Sequence, residues 1–195
     1  MNKRLVLAFT GHPGAGKTEA ATYVANQYGM SLYSPGELIR VEATKRGLTI
    51  PSRAAGMQFV HEILEPTFGL DALIEPVLKT EGNVVIDALR RMYDLRRLRA
   101  EFRLVLVALT PPIEERHARV VADTARANKG NIDFETFVAD TASEARNDDP
   151  MEPSVDSIIA QARFTIQNAG PKDDLYRSID EIMQYVGVET TSQQR

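Results

Sequence analysis

Short apolar runs alternate along the chain with longer segments in which apolar residues recur every three or four positions. The short runs predict β-strands, and the longer segments predict helices. Four of the five runs are rich in Val, Leu and Ile without strict alternation, a pattern typical of parallel strands buried on both faces. The predicted strands lie at residues 4–10, 30–34, 83–89, 103–110 and 163–168.

Helices are predicted in the segments between these strands. The first covers residues 16–27, and Gly29 is its C-terminal stop signal. An amphipathic helix at residues 174–186 is the last element of the fold. Further helices begin near Gly36, Ser52, Leu70, Arg91 and Pro112. Strands that alternate with helices predict an α/β fold: a five-stranded parallel sheet with helices on both faces.

Two segments are much longer than ordinary connections, and we interpret residues 35–82 and 112–160 as insertions on a single domain of residues 1–188. The composition agrees with one domain, since 195 residues with 43% hydrophobic and 26% charged side chains are typical of a globular chain. The polar residues 189–195 predict a disordered tail.

The composition also excludes several kinds of site. The chain has no Cys, which excludes disulfides, thiolate zinc sites and cysteine nucleophiles and suits a reducing compartment. No apolar run approaches the roughly 20 residues that span a bilayer, and the N-terminal run is too short for a signal peptide. We therefore expect a cytoplasmic protein with no membrane partner.

Charged residues are unevenly distributed. The net charge of −4 gives no general attraction to nucleic acid. Residues 87–103 nevertheless hold six Arg against three acidic residues, whereas residues 131–160 hold eight acidic residues against one Arg. Because Arg can bind phosphate in a bidentate way, the first stretch can attract anions, and the second is expected to face solvent.

The strongest chemical signal is a complete phosphate-binding motif, G-x-x-x-x-G-K-[ST], between the first strand and the first helix. Glycines allow the backbone amides to surround a phosphate, and the helix N-terminus favours an anion. Lysine adds a charge for the β- and γ-phosphates, and the threonine hydroxyl can bind Mg²⁺. The motif consists of Gly11, His12, Pro13, Gly14, Ala15, Gly16, Lys17 and Thr18.

Three further residues are placed near this loop. His12 could contact a phosphate or face solvent, and Glu19 stands in the first helical turn, where the helix dipole alone favours an acid. Asp87 follows the apolar run 84–86, so its carboxylate should lie at the carboxyl edge of the sheet. There it could hold Mg²⁺ through water or orient the nucleophile; the alternative is a helix cap.

Guanine-nucleotide switches are disfavoured, because the segment 87–90 lacks the glycine of D-x-x-G and the segment 128–131 only approximates N/T-K-x-D. The loop 11–18 instead resembles that of adenylate kinases. Residues 34–40 and 87–91 resemble the S-x-G-[DE]-h-h-R and D-G-h-x-R segments of nucleoside monophosphate kinases, with Ala88 in place of glycine. Residues 40–48 and 166–170 bring the chain closer to the dephospho-coenzyme A kinase-like group, which phage hydroxymethyluracil DNA kinases also resemble.

The resemblance implies a kinase that uses ATP and Mg²⁺, with Mg²⁺ between Thr18 and Asp87. It places Asn168 near the adenine and makes residues 35–82 an acceptor-binding segment and residues 112–160 a lid segment. The implied acceptor residues are Ser34, Glu37, Arg40, Arg90 and Arg91, and the implied lid residues are Arg116, Arg119 and Arg126, with Arg146 as a further candidate. The implied catalytic residues are Lys17, Asp87, Arg40, Arg116 and Arg119.

Three functions remain open at this point. The first is a kinase for a free nucleotide or a nucleotide-like small molecule. The second is a kinase for a modified base in DNA, whose backbone could follow the arginines between Arg90 and Arg103. The third is a nucleotide-binding regulator or slow ATPase without an acceptor.

Overall fold

The computed structural model describes residues 3–123 and 132–191. At its centre lies a five-stranded parallel sheet with the strand order β2-β3-β1-β4-β5. The strands are β1 (Leu5–Thr10), β2 (Ser31–Tyr33), β3 (Val84–Ile86), β4 (Arg103–Leu109) and β5 (Phe164–Ile166). All five predicted strands and the predicted α/β class are therefore confirmed.

Four of the five predicted strands extend past the observed ones at their carboxyl ends, and only the first ends where it was predicted to end. The run 83–89, for example, forms a strand only over Val84–Ile86. Asp87 still donates its backbone N–H to the Tyr33 carbonyl at 2.9 Å, and Leu89 donates to Phe9 at 2.9 Å. The chain thus stays bonded to the sheet edge after its strand geometry ends, which brings Asp87 beside the end of β1.

Helices cover both faces of the sheet, as expected from the alternating pattern. One apolar cluster packs the first and last helices on β1 and β4, and a second cluster packs three others on the opposite face. The helices are α1 (Lys17–Tyr28), α2 (Pro35–Lys45), α3 (Arg53–Phe59), α4 (Glu65–Phe68), α5 (Glu75–Lys79), α6 (Met92–Glu101), α7 (Ile113–Ala122), α8 (Phe134–Ser143), α9 (Val155–Ile159) and α10 (Lys172–Tyr185). Each helix in the described ranges is too short or too polar to cross a membrane.

Helix boundaries confirm one prediction and correct another. Gly29 ends α1 with a left-handed φ of 63°, as its position predicted. The helix expected near Leu70 does not begin there; a turn occupies residues 70–74, and α5 begins at Glu75. Pro76 lies in the first turn of α5, where a missing N–H costs nothing, and this favours the later start.

The segment 35–82, which the resemblance makes acceptor-binding, has its own small core. Ala43 of α2 packs there with Phe59, Leu64 and Leu73. Between α3 and α4 the helix widens into a π-helical turn, Val60–Leu64, so the backbone continues without a break but with wider hydrogen-bonded rings. At the other end of the chain, Thr191 of the predicted tail hydrogen-bonds to Gln27, and residues 192–195 lie outside the described residues.

A buried ion-pair network joins this segment to the rest of the protein. Arg91 has only 2% of its side chain exposed, and it donates to Asp94 at 2.8 and 2.9 Å and to Glu65 at 2.8 Å. Glu65 also contacts His61, whose second ring nitrogen meets Glu152 at 2.9 Å. Burial lowers the pKa of His61, but the two carboxylates outweigh this effect and raise it. Arg91 therefore points into the protein, which corrects its placement among the acceptor residues.

We expect Arg91→Met to lower the free energy of unfolding by about 3–5 kcal/mol, because it leaves the buried Asp94 carboxylate without its cation and removes one of the two ion-pair partners of Glu65. Urea denaturation measures the change. Arg96→Met on the exposed face of α6, the helix that follows Arg91, is the matched control and should change the free energy by less than about 0.5 kcal/mol. Equal, small losses in both variants would contradict a structural role for Arg91.

Candidate active site

The phosphate loop, residues 11–18, joins β1 to α1 and lies directly against neighbouring main chain. Its three glycines have φ values of 139° at Gly11, 77° at Gly14 and 93° at Gly16, a region that other residues rarely adopt. A Cβ at Gly11 would lie 2.4 Å from the Leu109 carbonyl oxygen, and one at Gly14 would lie 2.3 Å from that of Arg116. Glycine is therefore required by both backbone conformation and space.

Lys17 is the buried cation of the loop. Its Nζ donates to the His12 carbonyl at 2.9 Å, and the residue is 7% exposed. Burial and the positive charges of Arg90 and Arg53 hold the pKa of Lys17 well below its usual range, against the opposing charges of Asp87 and Glu144. An anion bound beside this ammonium would favour its charged form and raise the pKa of Lys17 again.

Thr18 and Asp87 come together at the carboxyl edge of the sheet. The Thr18 hydroxyl donates to the Asp87 carboxylate, with oxygen–oxygen distances of 3.0 and 3.2 Å, and the Ser34 hydroxyl approaches the same carboxylate at 3.3 Å. Hydroxyl and carboxylate oxygens are ligands that Mg²⁺ accepts. The described ranges contain no group of three or more His, Asp or Glu side chains suited to a metal, so Mg²⁺ here would need water and phosphate ligands as well.

Two arginines of α7 lie against the loop. Arg116 is 7% exposed, donates to the Pro13 carbonyl at 3.4 Å and stacks 5.5 Å from the centre of the Phe137 ring. Burial lowers its pKa. Arg119 donates to the carbonyl of Asn168 at 2.8 Å, and its buried Nη1 has no partner in the described chain. Two of the three predicted lid arginines, Arg116 and Arg119, therefore lie at the loop, while Arg126 lies outside the described residues.

Asn168 connects the last strand to the loop. Its side-chain amide donates to the Ala15 carbonyl at 2.9 Å, and its Nδ2 lies 2.5 Å from the point where a Cβ on Gly16 would stand. Because Arg119 binds the Asn168 carbonyl, the end of β5, the loop and α7 meet at one point. This is the corner where the resemblance places the adenine.

The residues that flank the loop are held by other parts of the chain. His12 Nε2 contacts Asp156 of α9 at 2.8 Å; burial lowers the pKa of His12 although Asp156 opposes this. Glu19 accepts hydrogen bonds from Lys172 and Tyr176, both on α10. Glu19 thereby links α1 to α10, a structural role that its position in the sequence does not reveal.

The predicted acceptor residues are only partly brought together. Ser34 contacts Asp87, but Arg40 and Glu37 form an exposed pair at 2.6 Å, with 60% of each side chain accessible. Arg90 points to the carboxylate of Glu144 at 2.5 Å. The structure therefore places Arg90 near Lys17 and leaves Arg40 on the surface of α2.

Sequence reasoning missed two charged residues beside the loop, Arg53 and Glu144. The Glu144 carboxylate accepts from Arg53 at 2.9 Å as well as from Arg90. The Ser52 side chain caps α3, so this residue indicates where the helix starts. It does not indicate which residue pairs with Arg53. No local pattern connects residues 91 positions apart, so only the fold reveals this contact.

The arginines between Arg90 and Arg103 do not share one surface. Arg97 pairs with Asp71 and Glu101, Arg99 bonds to Gln161, and Arg91 is buried. Most of these side chains are therefore engaged in contacts within the protein. The described part of the chain offers no continuous row of arginines along which a nucleic-acid backbone would run.

Comparisons with known proteins agree with this geometry. The AAA domain family matches residues 10–137. The UPF0200/UPF0201 protein of Archaeoglobus fulgidus is 30% identical over 189 residues, which cover 91% of this chain and only 54% of that protein; the chain spans about half its length. The UPF0200 protein of Methanocaldococcus jannaschii is 28% identical, over 93% of this chain and 90% of that protein.

Among solved structures, a shikimate kinase from Acinetobacter baumannii in complex with shikimate has a TM-score of 0.60 and 18% identity, covering 96% of both chains. At this identity the likeness concerns the fold alone. Taken with the loop, it shows that the chain has the α/β fold of phosphate-loop kinases.

We expect Gly14→Ala to weaken pyrophosphate binding at least tenfold, because the new Cβ would force the loop away from Arg116. Isothermal titration calorimetry measures the affinity. Gly47→Ala is the matched control, since Gly47 has a similar φ of 70° but open space around it. It should lower the free energy of unfolding by roughly 1–2 kcal/mol and leave the affinity unchanged. Equal affinities in all three proteins would show that the loop does not bind the ligand.

Proposed function

The chain belongs to the AAA domain family, and we propose that it is an ATP-dependent kinase that transfers the γ-phosphate to a nucleotide or nucleotide-like acceptor. The observation that carries this proposal is the contact of Thr18 with Asp87 beside the buried Lys17. A hydroxyl of the phosphate loop and a carboxylate at the end of β3, the neighbouring strand in the sheet, form the pair that phosphoryl transfer with Mg²⁺ needs.

In this proposal, the phosphate loop binds ATP through its backbone amides, and Lys17 contacts the β- and γ-phosphates. Thr18 and Asp87 would hold Mg²⁺, which when bound neutralises charge on the phosphates. Arg116 lies on the other side of the loop and offers a positive charge to the transferring group. Arg119 and Asn168 border the corner proposed for the adenine.

The transfer itself exchanges one phosphorus–oxygen bond for another. An acceptor oxygen forms a bond to the γ-phosphorus while the bond to the β–γ bridging oxygen breaks, and that electron pair leaves with ADP. The side chains of the cleft align the two oxygens and stabilise charge, which is the main protein contribution to this reaction.

The contacts of the nearby carboxylates favour an acceptor that reacts through a phosphate oxygen over one that reacts through a hydroxyl. A hydroxyl acceptor benefits from a nearby carboxylate base, whereas a phosphate is already ionised near neutral pH. Glu37, the first acid after β2, is exposed and paired with Arg40, and Asp87 is bonded to Thr18 and Ser34. Neither of these two carboxylates is free to deprotonate a hydroxyl, which supports a phosphate group as the acceptor.

The test is transfer of label from γ-labelled ATP to a panel of nucleotides, coenzyme A precursors and hydroxymethylated DNA. Label on a nucleotide supports the proposal, and Lys17→Ala should abolish it while circular dichroism shows an intact fold. Label on DNA alone would show that the acceptor is a modified base in DNA and not a free nucleotide. Transfer only to water would instead support a slow ATPase or regulator.

We expect Asp87→Asn to lower turnover by at least a hundredfold and to raise the Mg²⁺ concentration needed for half-maximal activity, since it removes a charged oxygen ligand. The measurement is a Mg²⁺ titration of the transfer rate. Asp71→Asn, which removes a carboxylate bound to Arg97 away from the loop, is the control and should leave the titration unchanged. A wild-type titration for Asp87→Asn would assign the metal ligand to another residue.

Arg40 tests whether the acceptor reaches α2. If it contacts an anionic acceptor, Arg40→Ala should lower kcat/KM for the acceptor by about ten- to a hundredfold, the value of a charge-assisted contact. Affinity for ATP should change little, and Arg40→Lys should restore activity only in part. Steady-state kinetics with each substrate varied in turn gives both values. No change in either would leave Arg40 as the surface partner of Glu37.

A further inference from the structure

One carboxylate bridges two arginines that come from distant parts of the chain. Arg53 begins α3 in the acceptor-binding segment, and Arg90 follows β3; they donate to separate oxygens of Glu144, at 2.9 and 2.5 Å. Glu144 directly follows α8 of the lid segment, and 12% of its side chain is exposed. We call these three residues the arginine–glutamate triad. It joins the acceptor-binding segment, the sheet edge and the lid segment at one point.

The triad lies beside the phosphate loop. Arg90 stands three positions after Asp87, and the Asp87 carboxylate is bonded to the Thr18 hydroxyl next to Lys17. The charges of both arginines and of Glu144 act on Lys17. The triad therefore occupies the part of the cleft where an acceptor would approach the transferring phosphate.

Cations outnumber carboxylates in this part of the cleft. Among the described residues, Arg53 and Arg90 contribute two positive charges that face the single carboxylate of Glu144. Arg53 keeps 32% of its side chain exposed and Arg90 keeps 24%, so neither side chain is closed off from solvent. An oxyanion of the acceptor could accept hydrogen bonds from both guanidinium groups in place of Glu144, and a doubly charged phosphate would do so more strongly than a carboxylate.

We infer that Arg53 and Arg90 form a subsite for an oxyanion of the acceptor, a phosphate monoester or a carboxylate, and that Glu144 fills this subsite in the free protein. The inference rests on the proposed function and deepens it, because it assigns the acceptor an anionic group close to Lys17. Arg53 becomes an acceptor-binding residue, and Glu144 becomes an internal competitor of the acceptor.

Glu144 can leave the subsite without movement of the lid segment. Its carbonyl accepts from the Val155 backbone N–H at 3.0 Å, and its neighbour Ala145 accepts from Asp156 at 2.9 Å. These bonds fix the main chain, so the side chain alone has to rotate away. The acceptor then binds against an internal ion pair, which lowers its affinity but prevents two arginines from facing each other unpaired.

The experiment measures binding of inorganic phosphate by calorimetry to the full chain, saturated with Mg²⁺ and a non-hydrolysable ATP analogue. Glu144→Gln should tighten phosphate binding about tenfold because it removes the competing charge. Arg53→Met should weaken it about tenfold or more, and Arg53→Lys should recover part of the loss. Acetate replaces phosphate in a second series, to separate a phosphate-bearing acceptor from a carboxylate-bearing one.

Glu42 provides the matched control, since it also accepts from two cations, Lys45 and Arg46, but on α2. Glu42→Gln and Arg46→Met should leave both titrations unchanged. Tighter binding of either probe in Glu144→Gln, with weaker binding in Arg53→Met, supports the subsite and identifies the acceptor's group.

Two results would overturn the inference. One is weaker phosphate binding in Glu144→Gln, which would make Glu144 a positioning residue for the arginines. The other is the same affinity in all variants. If the ATP analogue itself does not bind, the proposed function fails; the ranking of the variants in a titration without the analogue then still decides the subsite.

Discussion

The close approach of the phosphate loop to its neighbours is the constraint on which the other features of the site depend. The loop leaves β1, the central strand, so it lies between the ends of β3 and β4. One side therefore receives Asp87 and the other receives the start of α7 with Arg116. Because main chain on that second side leaves no room for a Cβ at Gly11 or Gly14, the loop is held in one shape before any ligand arrives.

Positive charge concentrated around this rigid loop has an energetic cost in the free protein. Lys17 and Arg116 are both buried, and burial lowers the pKa of each. Glu144 offsets part of the charge of Arg53 and Arg90. Arg116, by contrast, contacts a backbone carbonyl and an aromatic ring. A bound polyphosphate would remove the remaining imbalance, so ligand binding and folding stability are linked through the same side chains.

The elements of the fold could be predicted from the sequence because they depend on local patterns. Apolar runs such as 103–110 identify buried strands, and the loop motif identifies its own strand and helix. The pairing of charged residues could not be predicted in this way. Arg90 and Arg91 are adjacent in sequence, yet one faces Glu144 beside the loop and the other is buried against Asp94. Which arginine faces the cleft depends on how the chain turns after β3, and Glu144 comes from a segment 54 residues away.

The π-helical turn Val60–Leu64 also limits how the segment 35–82 can change in evolution. A π-turn contains one residue more than an α-helical turn, and loss of that residue would rotate everything before it by about 100° relative to α4. His61 would then no longer face both Glu65 and Glu152, and the preceding α3 would carry Arg53 away from Glu144. Insertions and deletions in this segment of related proteins are therefore expected in the loop between α2 and α3, where they leave the register of these contacts intact.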